Sequence, residues 1–498
     1  MSWSPRAVVT RTRDEAQGSL QRAYAVKVHR PWRGVYENPC DLLTPQSLPQ
    51  SFPNFLKPLN MDSRHISERS SPDSSPCISW PSTPATHPDE LFDDASFPSD
   101  NEQFVLVTGG LGFIGSHTVL ELLISGYNVI IVDDLSNSFQ EVFTRILTIA
   151  NRHFLAIGGH CPKAEFHNLS YRDLASMRAL LESHYPYSLP GVQRPSNIIG
   201  VIHFAAYKAV EESIHQPLKY YQNNINGLVD FMTLLDEFDI KTFIFSSSAS
   251  VYGTLADGIP LLREEHCVHE NLTYRDSDGV ENCAQQGCTG ITNPYGRTKF
   301  FGEAILSDLA KSDPSWNIVG LRYFNPVGCD ASGLLGEDPK GVPSNLLPVT
   351  VKVMTGQIPE LAVYGGDWDT PDGTTVRDFI HVTDLARGHI AALAATNNGN
   401  LKGGYRAFNL GTGTGYSVLE VVDAMESASQ RPIPRRVVSR RAGDVQCSVA
   451  AVERARKELG WETKKTLRDA CEDMWHYLKR GGETGRLENG LGPTLEER

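Results

Sequence analysis

The chain has no apolar run long enough to cross a bilayer, which argues against a membrane-spanning helix. Positive charge is in short supply. Lys and Arg number 46 against 59 Asp and Glu, for a formal net charge of −13. An acidic chain with a pI of about 5.6 is a poor partner for nucleic acid or an anionic membrane surface. CxxC pairs are also missing. The nine cysteines are scattered and odd in number, which excludes a disulfide framework and points to free thiols in a reducing compartment. The N-x-S/T sequences at Asn168 and Asn271 are then accidental. What remains is an ordinary apolar content of 40%, enough for a sizeable core.

Residues 1–101 differ in composition from the rest of the chain. SERSSPDSSPCISWPSTPATHPDELFDDASFPSDNEQ is rich in Ser, Pro and Asp. Such a stretch cannot bury enough apolar surface to offset its ordering entropy, so a disordered tail is expected. Its first thirty or so residues carry arginines and few acids, as transit peptides do, but lack an amphipathic pattern. The expectation is a cytoplasmic tail. Ser71-Pro72, Ser75-Pro76 and Thr83-Pro84 fit proline-directed kinases, although such pairs are common in disordered chains.

The chain then changes character. FVLVT is a short apolar run, as in a buried parallel strand, and Gly109, Gly110, Gly112 and Gly115 come directly after it. An amphipathic helix is predicted from about Ile114 to Ser125, with Gly126 at its end. A second apolar run, NVIIVD, ends on Asp133, about 20 residues beyond the glycines. A lone GxGxxG is weak. Strand, glycines, helix, strand and terminal acid in register are a dinucleotide-binding pattern. Glycines admit a pyrophosphate to the backbone, and the helix N-terminus offers unpaired N–H groups. Asp133 would accept from the adenosine ribose and repel a 2′-phosphate, which favours NAD over NADP.

Alternation continues. Residues 197–206, 241–250 and 317–325 read as strands, and Tyr220–Glu237 as a helix between the first two. Repeated β-α-β units predict an α/β chain with a Rossmann-type doubly wound parallel sheet. The stretch TNPYGRTKFFGEAI places Tyr295 and Lys299 four apart, on one face of a helix. A phenol has an ordinary pKa of about 10, and a cation beside it favours the phenolate. Lowering it to neutrality needs a second positive group besides the lysine. Ser248, at the end of a strand, completes a Ser–Tyr–Lys set, and in this the chain resembles the short-chain dehydrogenase/reductase superfamily. The oxidised nicotinamide ring is then the second positive group.

The resemblance is closer still. TGGLGFIGSHT, HFAAYKAVEES, YYQNNINGL, FSSSASVYG, NPYGRTK, LRYFNPVG, GEDPKGVPSNLLP, DGTTVRDFIHVTDLA, FNLGTGTGYSVLEV and RRAGDV occur in order over about 103–480. Together they resemble the UDP-glucose 4-epimerase family. That resemblance implies an isomerase of carbohydrate metabolism that interconverts UDP-glucose and UDP-galactose through a flat 4-keto sugar. Tyr295 takes the 4-hydroxyl proton, Ser248 holds the reacting oxygen, and NAD is bound tightly and not consumed. It implies cofactor contacts from Gly109, Gly112, Phe113, Ile114, Gly115, Asp133, Asn137, Ser138, Lys208, Asn223, Tyr295 and Lys299. It implies UDP-sugar contacts from Lys208, Ser248, Tyr323, Asn325, Asn345, Leu346, Tyr364, Arg377, Arg441 and Asp444, with no metal. Ser448, four residues past Asp444, would face the sugar's 2-substituent, and its small size leaves room for UDP-N-acetylglucosamine and UDP-N-acetylgalactosamine.

Two departures stand out. EFHNLSYRD replaces the family's G-D-[IL]-R pattern, so Asn168 is expected at the adenine, with Asp173 as a displaced alternative. Residues 254–291 are longer than the usual connection and are expected to form a surface loop near the site's mouth; their Cys and His spacing is poor for zinc. Related 4,6-dehydratases and decarboxylases carry acids after the serines, where this chain has Ala249 and Ser250. Other UDP-sugar epimerases and a non-catalytic NAD-binding regulator are the remaining alternatives, and the latter commonly lacks the Tyr/Lys pair. The expected organisation is a tail at 1–101, an NAD-binding domain at 102–326, a partly interleaved smaller α/β UDP-sugar-binding domain at 327–485, and a flexible end at 486–498. The expected assembly is a cytoplasmic homodimer.

Overall fold

The fold was read from a computed structural model that describes residues 102–185, 196–276, 278–341, 345–401, 403–441 and 443–483. The sheet arises from the apolar runs. Strands β1 (Phe104–Thr108), β2 (Asn128–Asp133), β3 (Ala164–Asn168), β4 (Ile198–His203) and β5 (Thr242–Ser248) come first. A hairpin of β6 (Leu272–Arg275) and β7 (Glu281–Ala284) precedes β8 (Asn317–Tyr323). Later strands are β9 (Asn325–Val327), β10 (Leu361–Tyr364), β11 (Val376–His381), β12 (Gly404–Leu410), β13 (Gly415–Ser417), β14 (Arg435–Val438) and β15 (Cys447–Ser448).

A seven-stranded sheet runs in the order β12-β8-β5-β4-β1-β2-β3. Every neighbouring pair in it is parallel. Strand order reverses between β1 and β4, so the ligand crevice lies beyond their carboxyl ends. The edge strand β12 comes from the C-terminal half of the chain and zips along β8 from Gly404↔Asn317 to Leu410↔Tyr323.

Helices cover both faces, as a doubly wound sheet demands. They are α1 (Phe113–Ile124), α2 (Glu141–Ile157), α3 (Leu174–Ser183), α4 (Val210–His215), α5 (Pro217–Tyr221), α6 (Gly227–Glu237) and α7 (Pro294–Ser312), then α8 (Leu346–Met354), α9 (Val382–Asn397), α10 (Val418–Ser429) and α11 (Leu467–Glu483). One core layer joins Val119 and Leu123 of α1 to Leu385 and Leu393 of α9 across β1 and β4. The other joins Phe231 of α6 and Leu306 of α7 to Phe243 of β5. A third core holds α8, α10 and α11 together through Val353, Met425 and Met474. Two small sheets lie in the same stretch of chain: β10 pairs with β14, and β11 joins β9, β13 and β15.

Three departures from the expected elements matter. The helix read at Tyr220–Glu237 starts at Pro217 and is interrupted by a π turn at Gln222–Asn226. The strand read as 317–325 breaks at Phe324, and Asn325 opens β9 on a different sheet. Residues 254–291 are not simply a surface loop. Leu262 and Cys267 are fully buried and pack with Tyr252, Phe324 and Ala450. Arg322 of β8 donates to the carbonyls of Glu264 and Cys267, so the near half of the segment is tied to the sheet. Among the described residues, no helix is long and apolar enough to cross a membrane.

Candidate active site

The glycine turn comes first in the chain. Gly109 has φ +70°, a left-handed backbone that side chains avoid. A Cβ on Gly115 would meet the Gly109 carbonyl oxygen at 2.2 Å, so only glycine lets α1 start against the turn. Gly112 is the N-cap and no side chain caps the helix. The first N–H groups, at Phe113 and Ile114, therefore have no intrahelical partner, which suits this end of the helix to an anion. Asp133, at the end of β2, is buried and accepts from the Leu111 N–H at 2.9 Å, the Leu135 N–H at 2.9 Å and the Ser138 hydroxyl at 2.7 Å. A carboxylate offers about four acceptor positions, so capacity remains for a ribose hydroxyl. Asn137 is exposed beside it. Asn168 is the register partner of Asp133 across β2 and β3 and is exposed at the strand end. Asp173, the alternative, is taken: it is the N-cap of α3 and accepts from the Ser176 N–H. These residues fit a dinucleotide.

One part of this groove was not legible in advance. Lys208 is exposed and lies 3.5 Å from Glu337. Lys340 donates to the Leu135 carbonyl at 2.7 Å and sits over the Phe139 ring. The GEDPKG stretch thus strings across the crevice from Lys208 to the Asp133 turn. The motif GEDPKGVPSNLLP marks this stretch in the sequence but not the contacts it makes.

The Tyr–Lys helix is set by local chemistry. Asn293 caps α7, accepting from the Gly296 N–H at 2.8 Å, and Pro294 takes the first helical position. Tyr295 therefore lies in the first turn, at the carboxyl end of the sheet. Lys299 is 3% exposed; its ammonium donates to the Ser246 carbonyl and lies 4.9 Å from the Phe245 ring centre. Burial pulls the Lys299 pKa down to about 7, and Glu303 opposes the shift. Ser248 ends β5 and caps the adjoining 3-10 turn, accepting from the Ser250 N–H at 3.2 Å. Burial pushes the Tyr295 phenol above its ordinary value, while Ser248 beside it pulls the other way. The lysine alone therefore does not make a base at neutral pH; a further positive group is required. Asn223 sits in the π turn, its side chain donating to Asn224, which in turn accepts from the Tyr207 N–H and donates to Thr298. Such turns recur at functional sites.

The third part is built by the small sheet. Val376↔Cys447 and Arg377↔Ser448 are register pairs of β11 and β15, and Asn325↔Phe379 joins β9. The Arg377 guanidinium donates to the carbonyls of Val376, Val445 and Gln446 at 2.8, 2.7 and 3.3 Å. Arg441 pairs with Asp444 at 2.9 Å and lies over the Tyr364 ring at 5.4 Å. Thr292, just before the α7 cap, donates to the Gly443 carbonyl at 3.3 Å, which joins this part to the Tyr295 helix. Asn345 and Leu346 form the amino end of α8.

Tyr323, expected to line the sugar, is 7% exposed, and its hydroxyl meets His389 Nε2 at 3.0 Å. Among the described residues no cluster of His, Cys, Asp and Glu could hold a metal ion.

Ser248 and Tyr295 thus meet at the carboxyl end of β5, with Lys299 one helical turn further along α7. The family model described as "NAD dependent epimerase/dehydratase family" matches residues 105–411. The chain belongs to the NAD dependent epimerase/dehydratase family. Within it, the chain is 45% identical over 373 residues to the UDP-glucose 4-epimerase of Dictyostelium discoideum, covering 75% of this chain and 95% of that one. It is similar to the crystal structure of UDP-glucose 4-epimerase from Bifidobacterium longum in complex with NAD+ and UDP, at TM-score 0.64 and 42% identity, covering 76% of this chain and 98% of that one. A Stenotrophomonas maltophila epimerase with bound NAD and formylated UDP-arabinopyranose gives TM-score 0.65 and 38% identity over 77% of this chain and 100% of that one. The two solved structures are matched over nearly their whole length, and about three quarters of this chain is covered.

Proposed function

We propose that this protein is a UDP-glucose 4-epimerase that interconverts UDP-glucose and UDP-galactose with NAD as a resident cofactor. The carrying observation is the Ser248, Tyr295 and Lys299 set at the carboxyl end of β5 and the start of α7, with Ala249 and Ser250 directly after the serine. Those two side chains offer no acid for chemistry at neighbouring carbons, so a 4-keto sugar formed here has no exit but reduction. This disfavours a dehydratase.

Bound NAD supplies reversible oxidation at the sugar's C4. The residues do the rest. Gly109, Gly112, Phe113, Ile114 and Gly115 hold the pyrophosphate at the α1 terminus. Asp133, Asn137, Ser138 and Asn168 hold the adenosine half, and Lys208 and Asn223 the nicotinamide half. Tyr295 accepts the 4-hydroxyl proton and keeps it until the oxygen reclaims it. Ser248 holds that oxygen by a hydrogen bond. Lys299 keeps positive charge under the phenol. Arg377 and Arg441 clamp the phosphates, where a planar fork suits bidentate contact. Asp444 takes a ribose hydroxyl of the UDP, Tyr364 covers the uracil, and Asn325, Asn345 and Leu346 line the passage between. With UDP anchored, the flat sugar is free to turn over and present its other face.

Three finer readings go with it. Ser448, small and opposite Arg377, supports acceptance of the N-acetylated UDP-sugars. Exposed Leu218, Ile214, Val229 and Phe301 on α4 to α7 support a homodimer through that helical face, since apolar surface of this kind is usually covered. The described cysteines are all free, which supports a cytoplasmic setting.

The test is incubation of purified protein with either UDP-sugar and no added nucleotide. Both directions should converge on one mixture of the two. Net NADH release or a 4-keto-6-deoxy product contradicts the proposal.

A further inference from the structure

The Ser–Tyr–Lys chemistry leaves one buried acid unused. Glu303 lies on α7 one turn beyond Lys299 and two beyond Tyr295, on the same face. Its side chain is fully buried, where a carboxylate persists only if paired. It has three partners. The Ser247 hydroxyl donates to it, Arg322 donates through Nε at 3.0 Å and Nη2 at 2.6 Å, and His269 Nε2 lies at 2.9 Å. Ser247 stands between Ser246, whose carbonyl receives the Lys299 ammonium, and Ser248. Arg322 and His269 bring the end of β8 and the 254–291 segment into the same cluster.

We propose that Glu303 is the positioning residue of the Tyr295–Lys299 pair: its carboxylate fastens Ser246–Ser248 to α7 and is the counter-charge that keeps Lys299 an ammonium. This rests on the epimerase reading above. The groups around Lys299 leave no other candidate among the described residues. His203 of β4 is held neutral, its pKa pulled down to about 3 by burial and by Lys299. Tyr323 of β8, Tyr220 of α5, Tyr252 of the 3-10 turn and Tyr405 of β12 are phenols pushed up by burial, so they stay uncharged. Arg322 and His269 add positive charge or none. Glu212 of α4 and Glu264 face Lys219 and Arg454 instead. Glu303 is the carboxylate that works against the loss of the Lys299 proton. Without it the amine becomes neutral at lower pH, and the positive charge one helical turn from Tyr295 is lost.

The test uses full-length protein with its bound nucleotide and measures kcat and KM for epimerisation against pH. Glu303→Gln keeps the side chain's volume and loses its charge. Its alkaline limb should move down by about one pH unit, which is about tenfold in the protonation of Lys299, with KM little changed. Glu303→Asp should restore part of the wild-type profile. Because Glu303→Gln leaves Arg322 buried and unpaired, the double variant Glu303→Gln/Arg322→Met is measured beside it, and it too should show a lowered alkaline limb. A folded variant that keeps the wild-type limb overturns the proposal. Loss of the folded state in both variants also overturns it, because Glu303 is then structural. A wild type that fails to epimerise contradicts the functional reading instead.

Discussion

Arg377 and Ser448 are register partners across the parallel pair of β11 and β15. A residue fixed in register opposite the arginine proposed to hold a phosphate has little freedom to move out of the way. Ser448→Tyr should therefore suppress epimerisation of the N-acetylated UDP-sugars and spare UDP-glucose. Forcing a ring into filled space typically costs about 1–3 kcal/mol, or roughly 5- to 150-fold. Wild type without any activity on the N-acetylated pair, or a Ser448→Tyr protein that keeps it, counts against this role.

Tyr295→Phe keeps the ring and removes the proton acceptor. Turnover should fall by about 100- to 10,000-fold, the usual range for losing a general base. Bound nucleotide, measured by absorbance after denaturation, should persist. Near-normal turnover by folded Tyr295→Phe would remove the phenol from the mechanism.

Lys299 carries a pH signature of its own. Burial pulls its pKa from 10.5 to about 7 in the folded chain. Between those values the unfolded chain holds more protons, so this group makes stability rise with pH. Below about pH 7 both states are protonated and the cost of the buried charge is complete. Lys299→Met should therefore stabilise nucleotide-free protein at pH 7, with the advantage shrinking towards pH 10. Urea unfolding across that range checks it, and an advantage that grows with pH is the contrary result.

Asp133→Ala removes an acceptor shared by two backbone N–H groups and the Ser138 hydroxyl. Leu111 is buried, so its N–H is stranded at a cost of about 1–3 kcal/mol. The variant should purify with little nucleotide and melt at a lower temperature. Full nucleotide content would show that the ribose is held elsewhere.

Elements that local chemistry sets could be read from the chain. The strand, glycine turn, helix and Asp133 lie within one short stretch, and Asn293-Pro294 announces α7 by its cap alone. What could not be read depends on distant partners. Glu303, Arg322 and His269 look like ordinary charges until β8 and the 254–291 segment bring them together. β12 joins the main sheet from far along the chain, with no periodicity to say so. The π turn at Gln222–Asn226 barely disturbs a helical pattern, so the sequence reads there as continuous helix. The exposed ends of β6 and β7 make 254–291 look like a loop, while Leu262 and Cys267 bury themselves against residues that sequence spacing does not reveal.

The central claim is that the C4 hydrogen leaves the sugar and returns to it within one binding event. UDP-galactose deuterated at C4, converted by the purified protein in ordinary water, tests this most directly. The account predicts UDP-glucose that retains deuterium at C4, read by NMR or mass spectrometry. UDP-glucose carrying solvent hydrogen at C4 would contradict it.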